Sequence, residues 1–148
     1  MSDGRWSMGP SYNVSMRVFA RWLALDRRAK RLSIEALLLA ALAIVRLKVE
    51  GAPRLLRAAA SPRHPSSRPD DLRDLSVAIE RASRYLPGAT CLTRALALKW
   101  MLRRRGIPAD VRLGARTEAG DLFAHAWVEC QGIMLGGPAA GDPFATLR

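Results

Sequence analysis

The spacing of apolar and polar residues divides the chain into a helical first part and a mixed second part. Apolar residues recur at helical spacing over 15–25, and a longer helix is predicted over 28–49. The middle of that helix is apolar nearly all round, which indicates burial on several sides. Gly51 and Pro53 mark its end, and a short helix is expected over 54–60.

The clearest loop in the chain is the proline- and serine-rich stretch 61–69. It separates residues 1–60, an N-terminal helical segment, from residues 70–148, which carry the candidate chemistry. A chain of 148 residues is most often one domain, so we expect the two parts to form one compact unit.

Two further helices are predicted after this loop. An apolar stripe at helical spacing predicts a helix over 71–85, with Asp70 as its N-cap. Thr90 is the candidate N-cap of the next helix, 91–105, and Gly106 supplies the left-handed residue that ends it.

The period then changes from 3.6 to 2, which indicates β-strands. Gln131-Gly132 suits a two-residue hairpin turn, and the glycine- and proline-containing tail is expected to be loose. The predicted strands are 110–115, 123–130 and 133–135, with a turn over 117–121 between the first two. Together the patterns predict an α+β fold with an N-terminal helical layer over a small antiparallel sheet.

The composition of the chain indicates the cellular compartment of the protein. The chain has two cysteines, Cys91 and Cys130, which suggests a reducing compartment rather than a disulfide scaffold. The longest apolar run, 36–45, has ten residues, whereas a membrane span needs about 20. The first residues contain no apolar signal-peptide core. We therefore expect a cytoplasmic protein without a transmembrane segment.

The net charge of +11 points to an acidic partner or to simple solubility. No RNP, homeodomain or zinc-finger signature accompanies the charge, so a nucleic-acid partner is not expected.

Cys91 and His125 form the candidate catalytic pair. Cys91 begins a predicted helix, where free backbone N–H groups and the positive end of the helix dipole favour a negatively charged sulfur. His125 lies in the middle of a predicted strand, and a neutral imidazole there could take the thiol proton. The alternative for each residue is a purely structural place in the core. The order of cysteine helix, strand and histidine strand is more specific than either residue, and it is the chain order of a papain-like core.

Cys130 is the competing thiol, but strand alternation places it on the opposite face from His125, so we interpret it as structural. The cysteines and histidines lack the closely spaced pairs typical of a zinc site, so neither a metal nor a cofactor is expected.

The sequence leaves more than one candidate for the group that orients the imidazole. Asp142 is our first choice and Asp121 the second, while a backbone carbonyl or an amide could also serve. Arg94, one turn after Cys91, and Trp127, on the face of His125, are candidates for contact with the substrate.

Residues 78–137 resemble the transglutaminase-like cysteine peptidases of lasso-peptide biosynthesis. The resemblance lies in Cys-Leu-Thr-Arg-Ala-Leu-Ala-Leu from Cys91, Arg-Arg-Gly-Ile-Pro-Ala from Arg104, Arg-Leu-Gly from Arg112, and Ala-His-Ala-Trp-Val-Glu from Ala124. It implies a papain/transglutaminase-like core in which Cys91 is the nucleophile and His125 the general base and acid. The family's triad ends in an aspartate, which the third predicted strand lacks.

The resemblance implies a cysteine endopeptidase that removes the leader from a ribosomally made lasso precursor peptide. Some members carry an N-terminal winged-helix domain that binds the leader, and residues 1–60 lack the strand pattern of such a domain. The expected partners are therefore the precursor peptide, a separate small leader-recognition protein and an ATP-dependent lasso cyclase. The rivals are a transglutaminase-like acyl transferase and a non-catalytic basic binding or scaffold protein.

Overall fold

The computed structural model describes residues 24–57, 69–137 and 144–147. Within these ranges no helix is long and apolar enough to cross a membrane. The helices are α1 (Arg27–Glu50), α2 (Ala52–Arg57), α3 (Pro69–Ser83) and α4 (Cys91–Arg103), and the strands are β1 (Asp110–Glu118), β2 (Asp121–Cys130), β3 (Ile133–Leu135) and β4 (Ala145–Leu147). The predicted α+β class is confirmed. The helix predicted over 15–25 lies almost entirely outside the described residues.

The first long helix agrees with its prediction to within a residue at each end. Asp26 caps its N-terminus, because the Asp26 carboxylate accepts a hydrogen bond of 2.7 Å from the amide of Ala29. The helix ends at Glu50 and is capped by Gly51. Gly51 has a φ of 76°, a conformation that glycine adopts without strain. The short helix α2 follows at once, two residues before its predicted start.

α3 begins earlier than predicted. Its first residue is Pro69, a residue favoured in the first helical position because its missing N–H has no helical partner to lose. Asp70 therefore lies inside the first turn, and the prediction that it is the N-cap is wrong. The stripe of Leu72, Leu75 and Ile79 is buried, as the spacing predicted.

α4 is the central helix of the fold. It packs against α1 and α3 on one side and against β2 of the sheet on the other. Because it lies between two layers, most of its side chains are buried, including Leu96, Met101 and Leu102. Thr90 caps it, and Gly106 has the predicted left-handed conformation, with a φ of 70°.

The prediction that α1 is buried on several sides is wrong for one face of the helix. Its buried residues form a single stripe that faces α3 and α4, consisting of Ala36, Leu39, Ala40 and Ala43. The opposite face is also apolar, yet Leu38 and Val45 on it are exposed. Among the described elements, one layer of the fold packs against α1, so apolar residues all round do not imply burial all round.

The sheet is antiparallel with the order β3-β2-β1-β4. β1 and β2 pair from Asp110 opposite Glu129 to Glu118 opposite Asp121, so both strands are longer than predicted. The turn between them has two residues, Ala119 and Gly120, both with positive φ, which is the type that suits the twist of a hairpin. The predicted two-residue turn at Gln131-Gly132 is confirmed by the same signature.

The end of the tail is not loose, contrary to expectation. β4 adds a fourth strand to the sheet by pairing with β1, with Thr146 opposite Gly114. Three residues without a clear alternation gave no strand signal, and the pairing depends on the free edge that β1 offers.

Glu35 of α1 ties the first long helix to the end of α4. Its carboxylate accepts hydrogen bonds of 2.6 Å and 3.1 Å from the guanidinium of Arg105, and Arg104 lies 3.3 Å away. These contacts, the hydrogen bond to Arg105 first, hold the pKa of Glu35 below its ordinary value. The arginines at the end of α4 therefore join two helices, besides complementing the helix dipole.

Replacing Glu35 by glutamine is expected to lower the free energy of unfolding by about 1 kcal/mol at neutral pH. Because the folded pKa lies below the ordinary 4.5, this stability is present above that pH and is lost as the pH falls through the folded value. Urea unfolding of both proteins should thus show a gap at neutral pH that closes in acid. Glu50→Gln, which breaks a pair within α1, is the control with a smaller effect. An equal gap at both pH values would contradict the assignment.

Candidate active site

Cys91 is the first residue of α4. The hydroxyl of Thr90 accepts a hydrogen bond from the amide of Thr93, and the carbonyl of Thr90 accepts one from the amide of Arg94. The cap thus fixes the first turn of the helix and sets the direction of the Cys91 side chain, which is partly exposed. The helix start predicted for the cysteine is confirmed.

Cys91 and His125 line the same pocket, although they come from different layers of the fold. The pocket has a volume of about 240 Å³ and opens between α3, the start of α4 and the middle of β2. Its floor is apolar, with Ile79 and Leu98 among the lining residues, and its rim carries Glu80 and Arg94. The structure therefore places Cys91 and His125 at one cavity.

A backbone carbonyl is the hydrogen-bond partner of the imidazole. His125 Nε2 lies 3.1 Å from the carbonyl oxygen of Gly136. A carbonyl oxygen only accepts, so Nε2 carries the proton and Nδ1 of the neutral ring is free to act as a base. β3 ends at Leu135, and the φ of 65° at Gly136 turns the chain where this contact is made.

Two aromatic rings flank the imidazole. Trp127 lies 6.4 Å away in a nearly parallel orientation, and Phe144, just before β4, lies 5.8 Å away. Trp127 is only 3% exposed and lines the pocket, and its indole nitrogen finds no acceptor among the residues that the structure describes. The guanidinium of Arg116 lies over the Phe144 ring at 5.1 Å. Packing of this kind restricts rotation of the His125 side chain.

Arg94 and Trp127, the two predicted substrate-contact residues, both line the pocket. Arg94 is partly buried at the rim, and among the described residues it makes no ion pair. Its guanidinium is therefore available to a carbonyl or carboxylate in the pocket.

Of the two aspartates predicted to orient the imidazole, Asp121 lies in the described part of the chain, and it is not close to the ring. Asp121 starts β2 at the hairpin end, four residues from His125 and thus roughly 13 Å away at the rise of a strand. Asp142 lies outside the described residues. The sequence had also left open a backbone carbonyl as the partner of the imidazole. In the structure the carbonyl of Gly136 makes this contact.

Cys130 lies away from the pocket. It is 1% exposed in the core between the sheet and the helices, and burial raises the pKa of its thiol. Within the described ranges no three histidine, cysteine or acidic residues lie close enough to hold a metal ion.

Alkylation should distinguish the two thiols. Iodoacetamide at neutral pH is expected to modify Cys91, which lines an open pocket, and to leave Cys130 unmodified, because a buried thiol with a raised pKa is neither accessible nor ionised. Peptide mapping by mass spectrometry reads the result, and unfolding in guanidinium should make both thiols reactive. Preferential labelling of Cys130 in the folded protein would contradict this arrangement.

Comparison with known protein families gives a match that covers most of the chain. The family described as the transglutaminase-like superfamily matches residues 36–148, which is most of the chain. The chain belongs to the transglutaminase-like superfamily. No curated protein and no solved structure matches it. The match begins inside α1, so the transglutaminase-like domain includes much of the helical segment as well as the sheet.

Three parts of the site in this transglutaminase-like domain had no signal in the sequence. The Gly136 carbonyl belongs to the backbone, and Phe144 reaches His125 only because β4 pairs with β1. The wall from α3, with Ser76, Ile79 and Glu80, follows from helix packing over a long sequence separation.

Proposed function

We propose that the protein is a cysteine endopeptidase that removes the leader from a lasso precursor peptide. The observation that carries the proposal is that Cys91 and His125 line one open pocket. The superfamily supplies the cysteine-dependent class of chemistry, and the motifs around both residues resemble those of lasso leader peptidases. Cys91 is the nucleophile and His125 the base.

Peptide cleavage on this geometry has two halves. His125 Nδ1 takes the proton of Cys91, the sulfur attacks the last carbonyl carbon of the leader, and a tetrahedral intermediate forms. Collapse of this intermediate breaks the peptide bond, leaves the leader on the sulfur as a thioester, and the imidazolium gives its proton to the departing amine. Water, deprotonated by His125, then hydrolyses the thioester and restores the thiol.

The start of α4 supplies donors for the intermediate's negative oxygen. The amides of Thr93 and Arg94 are engaged by Thr90, so the amides nearest the sulfur that are left for a substrate are those of Cys91 and Leu92. Such donors stabilise an oxyanion at a helix N-terminus. Arg94 at the rim would hold a further carbonyl of the leader.

The pocket suits one side chain of the peptide. A volume of about 240 Å³ is enough for a side chain beside the scissile bond. Such a pocket gives limited sequence selection, so recognition of the leader falls to the separate recognition protein. The released core amine is the group that the ATP-dependent cyclase joins to a side-chain carboxylate.

Mass spectrometry of a reconstituted reaction tests the proposal. The protein is incubated with a candidate precursor peptide, with and without a candidate leader-recognition protein. The expected result is one cut at the junction of leader and core, with hydrolysed leader as the second product. Intact precursor in every reaction, with folded protein present, would reject the proposal.

The superfamily match also favours a second candidate, acyl transfer by the same thioester. In that case an amine, rather than water, accepts the leader acyl group from Cys91. Adding a primary amine to the reaction separates the two functions. Transfer product in excess of hydrolysis would indicate a transferase.

A further inference from the structure

The outer face of α1 carries an exposed apolar stripe that neither the core nor the site uses. Leu38 is 64% exposed and Val49 is 78% exposed. The exposed residues Leu42 and Val45 lie between them, and exposed Ile34 lies one turn before Leu38. We call these five residues the outer seam. Isolated exposed apolar residues are common, but a contiguous stripe of this kind marks an interaction surface.

The spacing of the outer seam is that of a helix-pairing surface. From Leu38 the seam continues at intervals of four, three and four residues to Val49. Alternation of four and three keeps apolar side chains along one line of a helix, where they fit between the side chains of a second helix. The stretch from Ile34 to Val49 is about 22 Å long at the helical rise.

Positive charge extends the same line toward the N-terminus of α1. Arg31 precedes Ile34 by three residues, and Arg27 precedes Arg31 by four, so both exposed arginines lie in register with the seam. The two acids of α1 are already engaged, Glu35 by Arg105 and Glu50 by Arg46. The seam is thus apolar over most of its length and cationic at one end.

We propose that the outer seam binds an α-helix of an acidic partner protein. The partner helix carries its own apolar stripe, and its carboxylates face Arg27 and Arg31. The proposal does not rest on the peptidase function, because no seam residue lines the pocket of Cys91 and His125.

Two other occupants fit the seam less well. In a second copy of the chain, parallel pairing would set Arg27 and Arg31 against the same arginines, and antiparallel pairing would set them near Lys48. A membrane surface is disfavoured because the exposed large apolar residues of α1 include no aromatic residue, and because insertion along the seam would immerse the two arginines.

Binding of designed peptides tests the proposal with the full chain. The probe is a labelled three-heptad helical peptide with a leucine seam and glutamates at the end that would face Arg27 and Arg31, and its matched control carries lysines there. Fluorescence anisotropy should show saturable binding of the acidic peptide, at least about tenfold tighter than the lysine peptide. Equal binding of the two peptides, or no binding of the acidic one, would overturn the proposal.

Surface variants locate the contact. Leu38→Gln combined with Val45→Gln should weaken binding of the acidic peptide by about tenfold or more. Leu122→Gln is the matched control, since Leu122 is at least as exposed as Leu38 and Val45 but lies on the β1–β2 hairpin. Circular dichroism verifies that each variant is folded, and Val49→Gln, at the most exposed seam position, gives a second variant.

The alternative occupants have their own readouts. Sedimentation should show a monomer, and vesicles of phosphatidylglycerol should not retain the protein through the seam. Dimerisation, or vesicle binding, that the double variant Leu38→Gln/Val45→Gln abolishes would assign the seam to that occupant and overturn the proposal.

Discussion

Replacing Cys91 by alanine is expected to reduce cleavage of the precursor peptide by at least about 10³-fold, because it removes the sulfur that forms the thioester. The side chain is partly exposed at the start of α4, so the variant should remain folded. Cleavage is followed by mass spectrometry under conditions where the wild-type reaction is complete within minutes. Binding of the precursor should persist, since the pocket and the rim residue Arg94 are unchanged.

Cys130→Ala is the matched control, because it removes the other thiol of the chain. Its cleavage rate should stay near that of the wild type, whereas its stability should fall by about 1 kcal/mol, the cost of a small cavity in the core. An active Cys91→Ala together with an inactive, folded Cys130→Ala would show that the wrong thiol had been assigned.

The places of Cys91 and His125 at a helix start and within a strand were predictable because local signals surround both. Thr90 and Gly106 mark the two ends of α4, and alternation along β2 separates the face of His125 from that of Cys130. These signals depend on residues close in sequence, so they need no knowledge of how the elements pack. That the two residues line one pocket was a hypothesis, because it depends on how α4 packs on β2.

The remaining parts of the site depend on long-range geometry. The contact of the Gly136 carbonyl with His125 requires the register of β3 on β2, where Leu135 lies opposite Val128. A backbone carbonyl is present at every residue, so the sequence could leave it open as a partner of the imidazole but could not indicate that of Gly136. The outer seam illustrates the same limit. A stripe of apolar residues gives the same sequence pattern whether it is buried in the core or binds a partner.

Replacing His125 by glutamine is expected to lower cleavage by about 10²- to 10⁴-fold, the range typical of a lost general base. The glutamine amide could still donate to the Gly136 carbonyl, but it cannot accept a proton from Cys91. The substitution therefore separates a structural hydrogen bond from proton transfer. Both the cleavage rate and the rate at which iodoacetamide modifies Cys91 should fall.

His64→Gln is the matched control, since His64 is the only other histidine in the chain. It should leave cleavage unchanged. Chemical rescue adds a readout that a structural role would not move, because His125→Ala leaves space beside a pocket of about 240 Å³ and added imidazole should restore part of the activity. Wild-type cleavage by His125→Gln would reduce His125 to a structural hydrogen-bond donor. The thiol proton would then need another acceptor, and Glu80, a carboxylate that lines the same pocket, would be the next residue to replace.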